Sequence, residues 1–163
     1  MSGIKMTTSQ KAIDNLFRDA AKIVSEEIIN TLTYLGEQCV VKIRDRSGED
    51  SWFDQTGNLR SSIGYGIYSY GRKQISSAFA QVLEGASGAA EGKKMIEELA
   101  SHYATAYALV CVAAMSYAEY VEAIDGKDVL ASTEIYAKAK VAEYLRRGIG
   151  KAEKRIQSLV VSL

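Results

Sequence analysis

The first third of the chain carries one long helical pattern of apolar residues. Between residue 9 and about residue 43, apolar side chains recur at steps of three and four residues, at Ile13, Leu16, Phe17, Ala20, Val24, Ile28, Leu32, Leu35 and Cys39. This spacing predicts a single helix of about ten turns with one apolar stripe. Ser9 is the predicted N-cap, because its hydroxyl can accept a hydrogen bond from a first-turn amide. Such a helix is longer than a compact domain of this size needs, so we expect part of the stripe to pack against another subunit.

A short turn and a β-hairpin are predicted next. Thr56 is the expected cap of a short helical turn, and Gly57 allows the backbone to bend sharply into it. Residues 63–70 alternate as a strand does, and a turn at 71–72 leads into a second strand covering at least residues 73–78. The polar stretch before this region holds Trp52 and Phe53. Two interpretations stay open for this aromatic pair: it pins the stretch onto the core, or it anchors a partner.

The second half of the chain predicts a loop, a short helix, a strand and a final helix. Residues 85–92 are rich in glycine, alanine and serine and are expected to form a loop, followed by an amphipathic helix at about 91–103. The nearly continuous apolar run 107–115 predicts a buried central strand. After a turn at 125–128, Thr133 is the expected cap of a helix that continues to about residue 158.

These elements predict an α+β fold in a single domain, residues 1–163. A long N-terminal helix and a C-terminal helix pack on a small, mainly antiparallel sheet made of the hairpin and the buried strand. The glycine-rich loop and short helix, at about 85–103, form an insertion. The chain contains no proline, which excludes polyproline segments and proline-rich linkers.

The overall composition suggests a cytoplasmic, non-membrane protein. No apolar run reaches the ~18 residues of a membrane-spanning helix, and residues 1–10 lack the apolar centre of a signal peptide. Cys39 and Cys111 form no spaced set, so we expect free thiols in a reducing compartment.

Charge is uneven along the chain although the formal net charge is zero. From Tyr136 onward there are seven basic and two acidic residues, a balance of +5, which leaves −5 for the rest. Three interpretations remain: a solvated helix face, a basic surface that meets an acidic surface of a second copy or a neighbour, and DNA contact. DNA contact is the least favoured, because basic residues are not interleaved with aromatic ones.

Sequence motifs for catalysis or cofactor binding fail on their spacing. The segment from Gly88 to Lys94 has three residues between its glycines instead of four and lacks the hydroxyl that would hold magnesium in a phosphate loop. His102 is the only histidine, so the soft ligands of a zinc site cannot be assembled. A pairing of Cys111 with His102 as nucleophile and base is the remaining catalytic hypothesis. We therefore predict that the protein is not an enzyme and binds no cofactor, metal or small-molecule substrate.

The ten tyrosines either cover sheet edges or, as amphipathic aromatics, indicate an interaction module.

Two short motifs resemble a known family. TGNLRSSI at 56–63 precedes the first strand, and YAEYVE at 117–122 follows the apolar strand. In this order, with strands between them, they are similar to the tail-completion (head–tail joining, or neck) proteins of long-tailed bacteriophages and prophages. The similarity covers about residues 54–145.

The resemblance implies a structural protein of the virion tail or neck, assembled in the bacterial host cytoplasm. It further implies a ring of identical subunits that contacts neighbouring tail or head-completion proteins. The first motif would set the corner between helix and strand, and the second the exit from the buried strand. The residues concerned are Thr56, Gly57, Leu59, Arg60, Ser62, Tyr117, Ala118, Tyr120 and Glu122.

The chain departs from this family after Glu122 and at residues 85–103. The family often has a proline-bearing arm before the last helix, which this chain lacks, and the insertion at 85–103 is additional. The alternative function is a cytosolic α+β module that binds a ligand or partner, with the glycine-rich loop as a gate.

Overall fold

The long N-terminal helix is present as predicted. The computed structural model describes residues 9–46, 52–124 and 127–161. Helix α1 spans Gln10–Arg44, and the hydroxyl of its N-cap Ser9 accepts a hydrogen bond from the Ala12 amide at 3.3 Å. Its two ends differ in burial, because Leu35, Cys39 and Ile43 are fully buried whereas Phe17 is 70% exposed.

A three-stranded antiparallel sheet lies against α1. Its strands are β1 (Ile63–Ser69), β2 (Arg72–Ser76) and β3 (Tyr107–Ala113), in the order β2-β1-β3. The hairpin turn between β1 and β2 places Tyr70 and Gly71 at positive φ, 48° and 78°, as a tight hairpin turn requires. Strand β1 pairs with β3 along its whole length, from Ile63 opposite Ala113 to Ser69 opposite Tyr107.

The prediction of a buried central strand at 107–115 was wrong about its position. The central strand is β1, whose first six residues are all buried, and β3 is an edge strand with mostly half-buried side chains. The apolar run of β3 suggested burial on both faces, but β1, which has the same length of seven residues and contains two glycines, takes the middle position. Its glycines allow close packing on the face that α3 covers. Gly64 lies against Phe79, where an added Cβ would come within 2.4 Å of the ring.

The prediction of a glycine-rich loop at 85–92 was also wrong. Helix α3 spans Ala86–Glu98, and a 3₁₀ turn at Leu99–Tyr103 completes the segment expected to be a helix. The glycines are needed for close contact: an added Cβ would lie 1.9 Å from the Asn58 carbonyl oxygen at Gly88 and 2.3 Å from the Phe79 ring at Gly92. Tertiary packing therefore outweighs the low helix propensity of glycine.

Helices cover both faces of the sheet. On one face α1 packs against Tyr65 and Ile67 of β1 and against the side of β3 that carries Leu109 and Cys111. On the other face α3 and the 3₁₀ turn enclose Tyr68, Phe79, Ala89, Ile96 and Val112. A third cluster lies at the end of the sheet where α1 finishes, formed by Ile43, Trp52, Leu59, Ile63, Ala118 and Val129.

The last third of the chain forms two further helices. Residues expected to close the apolar strand form α4 (Ala118–Ala123), and α5 spans Ala131–Val161. Thr133 is not the cap of α5, because it lies inside the first turn with its side chain buried. The turn predicted at 125–128 lies partly outside the described residues, since 125 and 126 belong to the undescribed ranges.

Helix α5 runs antiparallel to α1 along most of its length. Arg46, next to the end of α1, hydrogen-bonds to Thr133, the Tyr34 and Tyr144 rings lie 5.5 Å apart, and Arg155 pairs with Glu26. The α+β fold class is therefore confirmed: a long N-terminal and a C-terminal helix pack with a small antiparallel sheet and one inserted helix.

Candidate interaction surfaces

The first motif forms the corner between α1 and β1, built around an aspartate outside the motif. A short helix, α2 (Asn58–Ser61), follows its N-cap Gly57, whose φ of 78° is left-handed. The Asp54 carboxylate accepts hydrogen bonds from the amides of Gly57 at 3.0 Å and Arg60 at 2.9 Å. Thr56 was therefore wrongly predicted as the N-cap; its hydroxyl accepts only from the Asn58 amide at 3.3 Å. The acidic side chain three residues before the glycine was the signal that sequence reasoning missed.

The remaining residues of this motif hold the corner to its surroundings. The Arg60 guanidinium donates to the Arg44 carbonyl at the end of α1 and lies 4.9 Å from the Trp52 ring. Leu59 is buried in the third cluster, and the Ser62 hydroxyl donates to the Leu59 carbonyl at 2.8 Å. These residues lie where α2 leads into β1.

The second motif caps the final helix. The Glu122 carboxylate accepts hydrogen bonds from the amides of Val129, Leu130 and Ala131, at 2.9, 2.7 and 2.9 Å. The Ala131 amide belongs to the first turn of α5, where backbone donors lack partners within the helix, and the other two amides directly precede it. Ala118 is buried in the third cluster, whereas Tyr120 is exposed. The motif thus connects β3 to α5 as well as ending the strand.

The structure brings the two motifs together. Ala118 packs in the same cluster as Leu59. Burial and the nearby Asp54 charge raise the pKa of Tyr117. Trp52 is buried here, which confirms its pinning role, but Phe53 is 86% exposed and does not share it.

A second candidate surface is an apolar groove along the free edge of β3. The groove has a volume of about 500 Å³ and is lined by Ile28, Leu32, Leu35, Tyr107, Leu109, Ala137, Lys138, Val141, Leu145 and Ile149. Adjacent helices pack 8–10 Å apart and adjacent strands about 4.8 Å apart, so one helix covers the width of about two strands. A pair of neighbouring helices therefore covers the width of about four strands. The sheet formed by the described residues has three, and α1 already packs on β1 and β3. The groove lies between α1, β3 and α5, which supply all of its lining residues.

The two edges of the sheet differ in how they are protected. Strand β2 carries Arg72 and Lys73, and its pairing with β1 is irregular at Ile67 and Tyr68. Charges and bulges of this kind hinder pairing with another chain. Strand β3, YALVCVA, carries no charge, and among the described residues no strand pairs with its outer edge. The outer edge of β3 therefore lacks the charges and the irregular pairing found at β2.

The outer face of the α1–α5 pair combines tyrosines with basic residues. Lys42 lies 4.6 Å from the centre of the Tyr136 ring, and Tyr34 and Tyr144 form a tilted ring pair. A hydrogen bond to Tyr144 together with burial raises the pKa of Tyr136 to about 12. A polar cleft of about 480 Å³ continues this face and is lined by Glu27, Asn30, Thr31, Tyr34, Tyr144, Arg147, Gly148 and Lys151. Helix packing therefore interleaves basic and aromatic residues that are far apart in the sequence.

The catalytic pairing of Cys111 with His102 is not assembled. Cys111 packs on the face of the sheet covered by α1, whereas the 3₁₀ turn that contains His102 packs on the opposite face. Among residues 9–46, 52–124 and 127–161, no group of three His, Cys, Asp or Glu side chains is arranged to hold a metal ion. No helix within these ranges is long and apolar enough to cross a membrane.

Comparisons with known proteins identified no relative of this chain. No protein-family model matches the chain, and no curated protein or solved structure matches it either.

Proposed function

We propose that the chain is a non-enzymatic structural protein of a phage or prophage virion. It acts in tail completion or head–tail joining and assembles as a homo-oligomeric ring. The observation that carries the proposal is the meeting of the two resemblance motifs in one buried cluster, where Leu59 and Ala118 pack together. Motifs separated by more than 50 residues in the sequence thus form one structural unit.

Assembly with a second copy is supported by the protein's surface. The uncharged edge of β3 and the apolar groove beside it offer backbone hydrogen-bonding groups and apolar contacts to an extended segment of a neighbouring subunit. The charge distribution favours another copy as that neighbour, because the chain from Tyr136 onward carries +5 and the rest −5. Head-to-tail contact between unlike surfaces produces rings when the rotation closes.

Light scattering and negative-stain microscopy test this function together. We expect a particle mass that is an integral multiple of 17.8 kDa, and closed rings in the images. The protein could also assemble only on its neighbours, so binding to the tail and head proteins encoded beside it is measured as well. A monomer at every concentration that binds none of these proteins would contradict the proposal.

A cytosolic ligand- or partner-binding module is the second candidate function, supported by the volume of the groove. The gate once expected at 85–92 is not part of it, since these residues belong to α3 and its N-cap. A thermal-shift screen in which small apolar molecules raise the melting temperature, with no oligomer formed, would favour this function.

A further inference from the structure

The two cysteines of the chain lie side by side. Cys39 is on the last turns of α1 and is fully buried, and Cys111 is on β3 and half-buried. Both side chains line one small cavity and each shifts the pKa of the other, although 71 residues separate them in the sequence. Both are free thiols. The sequence spacing gave no indication of this pair, which exists only because α1 packs on β3.

A small cavity borders the pair. It has a volume of about 200 Å³ and is lined by both cysteines together with Leu130, Thr133 and Glu134. A molecule of water or peroxide size fits in this space, since a water molecule occupies about 30 Å³ in the liquid. The cavity also shares Leu109 and Ala137 with the apolar groove beside β3, so the two spaces are neighbours.

The electrostatics of the pair distinguish the two sulfur atoms. The hydrogen bond from the Cys111 thiol, aided by the charge of Lys42, lowers the pKa of Cys39 in spite of burial. The same hydrogen bond and burial raise the pKa of Cys111. Cys39 is therefore the sulfur that more readily becomes a thiolate, and Cys111 the one that keeps its proton. A thiolate beside a protonated thiol is the arrangement from which a disulfide forms.

We infer that Cys39 and Cys111 are a redox-active dithiol that hydrogen peroxide converts into a disulfide joining α1 to β3. The Cys39 thiolate attacks one peroxide oxygen, the O–O bond breaks, and hydroxide leaves, which forms a sulfenic acid. The Cys111 sulfur then attacks the Cys39 sulfur, the S–O bond breaks, and hydroxide leaves with the Cys111 proton as water. In total, two thiols lose two electrons and peroxide is reduced to two molecules of water. This inference does not depend on the proposed function.

The disulfide would close a loop that contains β1, β2 and α3. A cross-link over so long a loop restricts the unfolded chain strongly and stabilises the folded state. The protein would thus remain reduced during synthesis in a reducing compartment and become cross-linked after exposure to an oxidant. The expected gain in melting temperature is about 5 to 10 °C for a chain of this size.

Mass spectrometry of the native full-length protein tests the inference. Peroxide treatment should lower the intact mass by about 2 Da, the mass of two hydrogen atoms. A peptide map without reductant should contain one cross-linked pair, with Cys39 in one peptide and Cys111 in the other. Dithiothreitol should restore both thiols and abolish the gain in melting temperature.

Single variants provide the control. In Cys39→Ala and Cys111→Ala, peroxide should leave the melting temperature unchanged and produce no internal cross-link. If either variant does not fold, the peptide map of the wild-type protein decides alone. Two free thiols after peroxide treatment, sulfinic or sulfonic acids without a cross-link, or a disulfide only between molecules would each overturn the inference.

Discussion

Glu122 controls the start of α5 because one carboxylate serves three backbone amides. The Ala131 amide is in the first turn of the helix, which has no internal acceptors for its N–H groups, and the Val129 and Leu130 amides directly precede it. The negative charge also lies at the positive end of the helix macrodipole, which adds to the stabilisation. Asp128 supports the same turn, because its carboxylate accepts from the Ser132 amide at 3.2 Å and pairs with Arg46 at 2.8 Å.

Replacing Glu122 should therefore destabilise the protein. Glu122→Ala is expected to lower the free energy of unfolding by about 1–2 kcal/mol, as measured by urea denaturation. Glu119→Ala is the matched control, since Glu119 is an exposed glutamate on the same short helix. Its effect should stay within about 0.5 kcal/mol. Equal losses in the two variants would show that Glu122 does not act as a cap.

Two glycines should respond in opposite ways to alanine. At Gly57, φ is 78° and an added Cβ would lie 1.9 Å from the Val82 carbonyl oxygen, so Gly57→Ala should cost about 3 kcal/mol or more. At Gly150, inside α5, an added Cβ meets nothing within 4 Å, so Gly150→Ala should stabilise the helix by about 0.5–1 kcal/mol. Thermal unfolding of both variants measures this difference, and a stabilised Gly57→Ala protein would contradict the corner geometry.

Asp128 should make stability depend on pH in the acid range. Burial opposes ionisation, but hydrogen bonds to Ser132 and Arg46 and the Arg46 charge outweigh it and lower the pKa below the ordinary 3.8. A lowered folded-state pKa stabilises the protein above the unfolded-state value, and this contribution is lost as the pH falls through the folded-state pKa. The stability difference between wild type and Asp128→Asn should thus be constant above about pH 5 and shrink below about pH 4. A difference that does not change between these pH values would exclude this role.

At the scale of elements, α3 is held to the sheet by one buried hydrogen bond and by close packing. The Tyr68 hydroxyl donates to the Ile96 carbonyl at 2.6 Å, and its ring stacks on Tyr103. Burial and the neighbouring Tyr103 and Glu97 raise the pKa of Tyr68 to about 12. This hydroxyl therefore remains a donor throughout the neutral range.

Removing that hydroxyl should loosen α3. Tyr68→Phe leaves the Ile96 carbonyl without this donor and is expected to cost about 1–2 kcal/mol of unfolding free energy. Tyr70→Phe, at an exposed position on the same hairpin, should change it by less than about 0.5 kcal/mol. Hydrogen exchange should show faster exchange in α3 for the first variant alone, and unchanged α3 protection would contradict the role assigned to Tyr68.

Local patterns predicted the elements that depend on local interactions. The stripe on α1, the Ser9 cap and the hairpin turn at Gly71 could all be read from spacing and residue type. The helical state of 85–92 could not, because its glycines fit there through contacts with Asn58 and Phe79, which are distant in the sequence. The central place of β1 depends in the same way on packing against both faces.

Part of the candidate site could not be predicted from the sequence, because it also depends on contacts between residues that are distant in the chain. The positions of Gly57 and Leu59 at the corner follow from the motif. The cap by Glu122 does not, because a loop separates Glu122 from the amides that it binds, and no fixed residue spacing signals such a cap. The contact of Cys39 with Cys111 and the tyrosine-rich face of α1 and α5 arise only when helices and strands pack. Such long-range contacts leave no periodic signal in one sequence.

At the scale of the whole molecule, apolar surface remains exposed where the helix pair extends along and beyond the sheet. Phe17 and Val24 belong to the predicted apolar stripe of α1 but are exposed, and Ile149 on α5 is exposed as well. Ile149 also lines the groove beside β3. Self-association would bury this surface, and the basic character of α5 would orient an acidic surface of the next copy.

Ile149 and Ile135 offer a matched pair for testing assembly through the groove. Both are exposed isoleucines on α5, at 49% and 71%, but Ile135 is not among the residues that line the groove. A charge at Ile149 should therefore block docking, whereas a charge at Ile135 should not. Because both side chains are exposed, neither substitution should lower the melting temperature by more than a few degrees.

The most direct measurement is the molar mass of wild type, Ile149→Lys and Ile135→Lys by light scattering over a range of concentrations. We predict an oligomer for wild type and Ile135→Lys and a folded monomer for Ile149→Lys. Wild-type protein that stays monomeric, alone and with the tail and head proteins proposed as its partners, would contradict assembly as the function of this chain. An Ile149→Lys oligomer of unchanged mass would contradict the groove as its interface.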